Sequence, residues 1–187
     1  MPLTTLDSKT ALIVVDLQKG IVSLPLAHSI ADVVANSRAL AMAFRQRGLP
    51  VALVNVNGGA PGRTERPSPR GAYPEGWIDL IPELDPQPGD IFVTKQTWGA
   101  FASTNLEARL KALGVTQVVI TGVATGTGVE ATARQAYEQG FNVTLAIDAM
   151  ADLRAEAHDY SIAHVFPRLG ETGTTQDILN LLAQRSI

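Results

Sequence analysis

Short apolar runs separated by helix-spaced segments constrain this chain more than any other feature of it. Ala11–Val15 is an apolar run that stops at Asp16, and Pro50–Val56, Asp90–Thr94, Gln117–Thr121 and Phe141–Ile147 follow it at intervals. Runs this short, with little polar alternation, read as strands buried on both faces. Between the first two, Ala27–Arg47 carries Ile30, Val33, Val34, Ala41 and Phe44 at helical spacing and stops at Gly48, a favoured helix terminator. Helices are also expected from a cap at Ser103 or Thr104 to Leu113, from Gly128 to Gly140, from Ala155 to Val165 and from Thr175 to Ala183. Strands alternating with helices imply a three-layer α/β/α Rossmann-like fold with a mainly parallel sheet, here as a single domain over residues 1–187.

Composition narrows the function classes. A net charge of −3 argues against nucleic acid as a general partner, because phosphate binding needs clustered Lys and Arg. The chain has no cysteine, which excludes disulfides, thiol nucleophiles and thiolate metal sites. No basic segment followed by an apolar one opens the chain, and no apolar run is long enough to span a bilayer. A cytoplasmic protein acting on a small molecule, with no membrane partner, is the expectation.

Parallel sheets of this kind bind ligands beyond the carboxyl ends of their strands. Asp16, Lys95, the turn Gly122–Gly128 and Asp148 all fall at such ends, which gathers scattered residues into one candidate site. The Gly- and Pro-rich stretch 57–89, with a short helical turn expected near Trp77, is long enough to read as a functional loop. Each residue also has a plainer reading. An Asp at a strand end is commonly a cap or turn residue, a lone Lys is commonly a solvated charge, and Trp98 can simply pack. Asp148 can cap the next turn.

Three ordered stretches carry a resemblance: Val14–Gln18; Lys95–Phe101 with Thr104 and Leu106; and Gly122–Thr125 leading to Val129–Arg134, with Asp148 and Ala149 after the next strand. Together they resemble the isochorismatase-like hydrolase superfamily over nearly the whole chain. Most of that superfamily hydrolyses amides with an Asp, Lys, Cys triad. Asp16 and Lys95 match the first two, and the cysteine position aligns with Gly128. Isochorismatases and related vinyl-ether hydrolases carry glycine there and need no covalent intermediate.

The resemblance thus implies ether-bond hydrolysis over amide hydrolysis. Asp16 would be the general acid, Lys95 would pair with a substrate carboxylate or developing charge, and Gly128 would leave room where a thiol otherwise stands. Backbone amides around Gly128 would bind an anion or water. Gln18 would orient a polar substrate group, and Trp98 and Phe101 would form apolar pocket walls. Val123, Ala124 and Thr127 would touch substrate from the turn, with a cis bond at Val123–Ala124 and with the Thr125 and Thr127 hydroxyls available to orient water. One of Arg63, Arg66 and Arg70 would clamp a dicarboxylate. The metal-binding relatives carry an Asp and two His after the second strand, where this chain reads Asn55–Pro61. His28, His158 and His164 lie elsewhere, so neither a metal nor another cofactor is expected. Homo-oligomerisation is expected by analogy.

Two alternatives belong to other classes. A non-catalytic binding or scaffold protein can occupy an enzyme fold. Gly126–Ala131 also fits a dinucleotide fingerprint, with Asp148 at the appropriate distance for a nicotinamide-dinucleotide ribose, although Val123–Thr125 intervene after the strand.

Overall fold

A computed structural model of the chain describes residues 3–65 and 73–184. Six strands form one sheet: β1 (Thr10–Val15), β2 (Val51–Val56), β3 (Ile91–Lys95), β4 (Gln117–Val123), β5 (Asn142–Ala151) and β6 (Glu171–Gly173). Their order is β3-β2-β1-β4-β5-β6, and every neighbouring pair is parallel. The chain winds outward from β1 to β3, then returns to pair β4 on the other side of β1. Such a reversal of winding is where sheets of this kind bind ligands, and here it falls at the carboxyl ends of β1 and β4, where Val15 pairs with Gly122.

The helices are α1 (Lys19–Val22), α2 (Ile30–Gln46), α3 (Leu106–Ala112), α4 (Glu130–Glu138), α5 (Ala155–Tyr160) and α6 (Thr175–Ala183). One face of the sheet packs Ile13, Val15, Val54 and Ile120 under α3 and α4. The opposite face packs Leu12, Val14, Leu53 and Val119 under α2 and α6, with Phe44 and Leu182 buried there. All six residues of β1 are buried, as its unbroken apolar run requires. The expected three layers are present.

Local chemistry explains the helix ends. Ser29 caps α2 by accepting the Asp32 amide at 3.3 Å. At the other end the Gly48 amide bonds the Arg45 carbonyl and the Leu49 amide bonds that of Phe44, each at 3.0 Å. This paired closure needs Gly48 at φ 64°. Gly114 and Gly140 close α3 and α4 the same way.

Three expectations change in detail. The helix expected to begin at Gly128 is preceded by a π-helical turn, Thr125–Val129, and α4 proper starts at Glu130. The helix expected over Ala155–Val165 becomes π-helical from Ser161. Strand β5 runs on to Ala151, past the expected end at Ile147, through an irregularity in its pairing with β4. Asp148 therefore lies within the strand, and Asp152 occupies its end. The short edge strand β6 was not anticipated; three residues are too few to show periodicity. In the long loop, residues 75–78 form the turn expected near Trp77, and Pro82–Leu84 add a 3₁₀ turn.

Candidate active site

Asp16 follows the last residue of β1 with its backbone in the left-handed region, φ 53°. Asp tolerates this conformation better than most residues. Its amide remains anchored to the Val54 carbonyl at 2.8 Å. Lys95 ends β3 on the face already occupied by Ile91 and Val93, and its stem is wholly buried. Its ammonium donates to Asp16 Oδ2 at 2.7 Å and to the Thr97 carbonyl at 3.2 Å. The two residues that the sequence pairs by resemblance thus meet in a buried ion pair.

Burial raises the Asp16 carboxyl from the ordinary 3.8 to about 6, outweighing the attraction of Lys95 and its hydrogen bond, which act in the opposite direction. The carboxyl is asymmetric. Oδ2 is engaged by Lys95, while Oδ1 is buried and no donor among the described residues reaches it. A buried oxygen without a partner is costly to the fold.

Gly122 allows β4 to approach β1. Its φ is 117°, and a Cβ there would overlap the Val15 carbonyl oxygen. The next bond, Val123–Ala124, is cis. The π-helical turn then brings Gly128 against Asp16. The space at Gly128 is smaller than expected: a Cβ would lie 3.2 Å from Asp16 Oδ2 and from the Val123 carbonyl, and 3.3 Å from Val15 Cγ1. A side chain there would need its neighbours to move by a few tenths of an ångström.

The expected anion cradle is also reduced. The Gly126 amide donates to Asp152 Oδ2 at 2.7 Å, and the Thr127 and Val129 amides both bond the Ala124 carbonyl at 3.1 Å. Internal bonds have taken these donors.

Other expected contacts are redistributed. Gln18 is fully buried, and its amide accepts from Val56 N at 2.7 Å and donates to the Val56 carbonyl at 3.1 Å. It ties the start of α1 to the end of β2, so its amide holds backbone where a substrate contact had been expected. Phe101 is buried in the core, its ring centre 5.9 Å from that of Phe141. Trp98 is 65 % exposed. Thr125 is buried with its hydroxyl 2.8 Å from His158 Nδ1, whereas Thr127 is half-buried in the turn. Val123 is buried and Ala124 half-buried beside it. Asp148 accepts from the amide and hydroxyl of Thr175 at 2.7 and 2.9 Å, which pins the first turn of α6 beside its Thr174 cap. Asp148 and the Gly126 amide, the two groups on which the dinucleotide reading rests, are thus both engaged within the chain. Arg63 is exposed, and Arg66 and Arg70 lie outside the described residues. Among the described residues no three His, Asp or Glu side chains converge as metal ligands.

Residues not singled out by sequence complete the frame. Thr132 donates to the Gly128 carbonyl at 2.7 Å and accepts from the Ala100 amide at 3.1 Å. Gln135 Oε1 accepts from the Phe101 and Ala102 amides at 3.0 and 3.2 Å. These two side chains, a helical turn apart on α4, bind the segment after β3 to the Gly128 turn. Polar residues at that spacing inside an otherwise small-residue helix face were the available signal.

The family model for the isochorismatase domain matches residues 10–177. The chain belongs to the isochorismatase family. The isochorismatase family protein YecD of Escherichia coli O157:H7 is 41% identical over 182 residues, which cover 92% of this chain and 96% of YecD. An isochorismatase family protein from Burkholderia thailandensis has a solved structure with a TM-score of 0.92 at 39% identity, covering 96% of this chain and 98% of that one. The ureidoacrylate amidohydrolase RutB of Variovorax paradoxus is 30% identical across 97% of this chain and 84% of RutB. Membership in this hydrolase family and the parallel α/β fold agree with what the strand-end residues imply.

Proposed function

We propose that this isochorismatase-family hydrolase cleaves a vinyl ether of a small carboxylic acid and releases pyruvate, with Asp16 as general acid. The observation that carries the reading is the Asp16 carboxyl itself. Its pKa near 6 keeps a useful protonated fraction close to neutral pH, and its Oδ1 is unpartnered and faces no competing donor among the described residues. Protonated Oδ1 transfers its proton to the terminal vinyl carbon. The ether carbon becomes an oxocarbenium ion, water adds to it, and the added water returns a proton to Asp16. The hemiketal then collapses to pyruvate and the freed alcohol. Lys95, fixed on Oδ2, keeps the carboxyl oriented and places positive charge beside a carboxylate-bearing substrate. Gly128 belongs to the same wall.

Amide hydrolysis is the activity in the name of RutB. A thiol route to it is closed to this chain, which has no cysteine. A threonine route has a base at hand, His158 Nδ1 at 2.8 Å from the Thr125 hydroxyl, but Thr125 is fully buried, out of reach of a substrate.

A coupled pyruvate assay with isochorismate tests the reading. Wild type should release pyruvate, and Asp16→Asn, which preserves shape but has no acidic proton, should lose at least about 100-fold in kcat. Equal rates would remove Asp16 as the acid. A wild type inert toward vinyl-ether, ester and amide panels would favour a binding or scaffold role.

A further inference from the structure

At Thr125, where the turn that carries Gly128 begins, stands a pair of histidines that the proposed chemistry does not use. His158 on α5 is buried, and its Nδ1 stands 2.8 Å from the Thr125 hydroxyl, the first residue of the π-helical turn. The His28 ring, from the segment before α2, lies 4.1 Å from the His158 ring, tilted by 40°. His28 Nδ1 is buried, and no partner reaches it among the described residues. The same corner is closed by Asp152, whose carboxylate holds the Gly126 amide and whose carbonyl accepts the Ala27 amide at 2.8 Å. The back of the turn packs on α5, since a Cβ on Gly126 would meet Ala157 and Ser161 at 3.5 Å.

We propose that Thr125, His158 and His28 form a proton-responsive brace that sets the position of the turn Thr125–Val129, and with it the Gly128 wall of the Asp16 site. Two acidic groups act on His158, Asp152 from the end of β5 and Asp159 from α5, and Glu130 on α4 accepts from Ser161, just past α5, at 2.7 Å. Burial lowers the His158 pKa most, and His28 lowers it further, while Asp159 and Asp152 act in the opposite direction. Neutral His158 can accept the Thr125 hydroxyl proton at Nδ1. A proton on that nitrogen converts it to a donor, so Thr125 must turn its hydroxyl to accept. The charge also lands against the His28 ring, 4.1 Å away. Acidification therefore works on the hydrogen bond that anchors the start of the turn. His28 and His158 are positioning residues, acting through Thr125 and Gly126.

The brace is tested without substrate, so failure of the vinyl-ether reading leaves the test intact. The ¹⁵N-labelled full chain is titrated by NMR from about pH 8 to about pH 5, spanning the histidine range. The His158 ring and the Gly126 and Gly128 amides are followed. Both amides should shift with the His158 midpoint. His28→Gln should raise that midpoint and carry the amide inflection with it, and His158→Gln should abolish the inflection. Asp16 also titrates near 6, so Asp16→Asn is the control and should leave the inflection in place. Amides that do not titrate, or an inflection unmoved by His28→Gln or lost in Asp16→Asn, would overturn the proposal. If His158→Gln does not fold, the His28→Gln shift decides alone.

Discussion

At Asp16 a carboxyl is held where its charged form is disfavoured by burial and favoured by Lys95, and burial prevails. The consequence for stability has a definite sign. The native carboxyl binds its proton more tightly than the unfolded one, so its contribution is full below the ordinary 3.8 and is lost as pH rises through about 6. The native state should lose roughly 3 kcal/mol across that window, from a shift of about two pH units. Urea unfolding at several pH values checks this: stability of wild type relative to Asp16→Asn should fall as pH rises from 4 to 7, and a flat difference would contradict it. Gly128 makes a second prediction at this scale. Because an added Cβ meets Asp16 and Val123 at 3.2 Å, Gly128→Cys should cost about 1–3 kcal/mol in unfolding experiments. It should also perturb the Asp16 titration, so amidase activity is not expected from that one change.

Among the secondary-structure elements, two glycines with positive φ do different work. Gly48 ends α2 with nothing within 4 Å of its added Cβ, so only backbone conformation is at stake. Gly48→Ala should cost about 1–2 kcal/mol. Gly122 lies in β4 against β1, where a Cβ would overlap the Val15 carbonyl. Gly122→Ala should cost more than about 3 kcal/mol, or prevent folding, since the central strand pair must separate. Comparable midpoint shifts for the two variants in chemical denaturation would contradict the assignment. The helix terminators were legible in the sequence because a helix ends through bonds made within its own last turn. The start of α4 was not: a helix is expected from Gly128, but the amides of Gly126, Thr127 and Val129 are drawn to Asp152 and Ala124 and wind the turn wide.

Across the whole molecule, the site depends on three strand ends being held level. Lys95 comes from β3, Asp16 from β1, and β2 lies between them. Gln18 fixes that arrangement by bonding both polar groups of Val56 and, at 3.4 Å, the Trp77 carbonyl of the returning loop. Gln18→Ala would leave half-buried backbone groups of Val56 without this partner, at a cost of about 1 kcal/mol or more. The measurable signature should be lower stability together with a weakened Asp16–Lys95 coupling in a double-mutant cycle; an unchanged coupling would confine Gln18 to a local role. The sequence alone determined the order of strands and helices, the strand ends that carry Asp16 and Lys95, and where several helices stop. All of these follow from local pattern: burial on both faces demands an unbroken apolar run, and a glycine closes a helix by its own φ. Only the tertiary structure decided that Phe101 faces the core, that Gln18 binds backbone, that Asp152 takes the place expected of Asp148, and that His28 meets His158. Those outcomes depend on which elements the winding of the sheet brings together, and periodicity reveals a buried face without naming the residue, more than a hundred positions away, that will cover it.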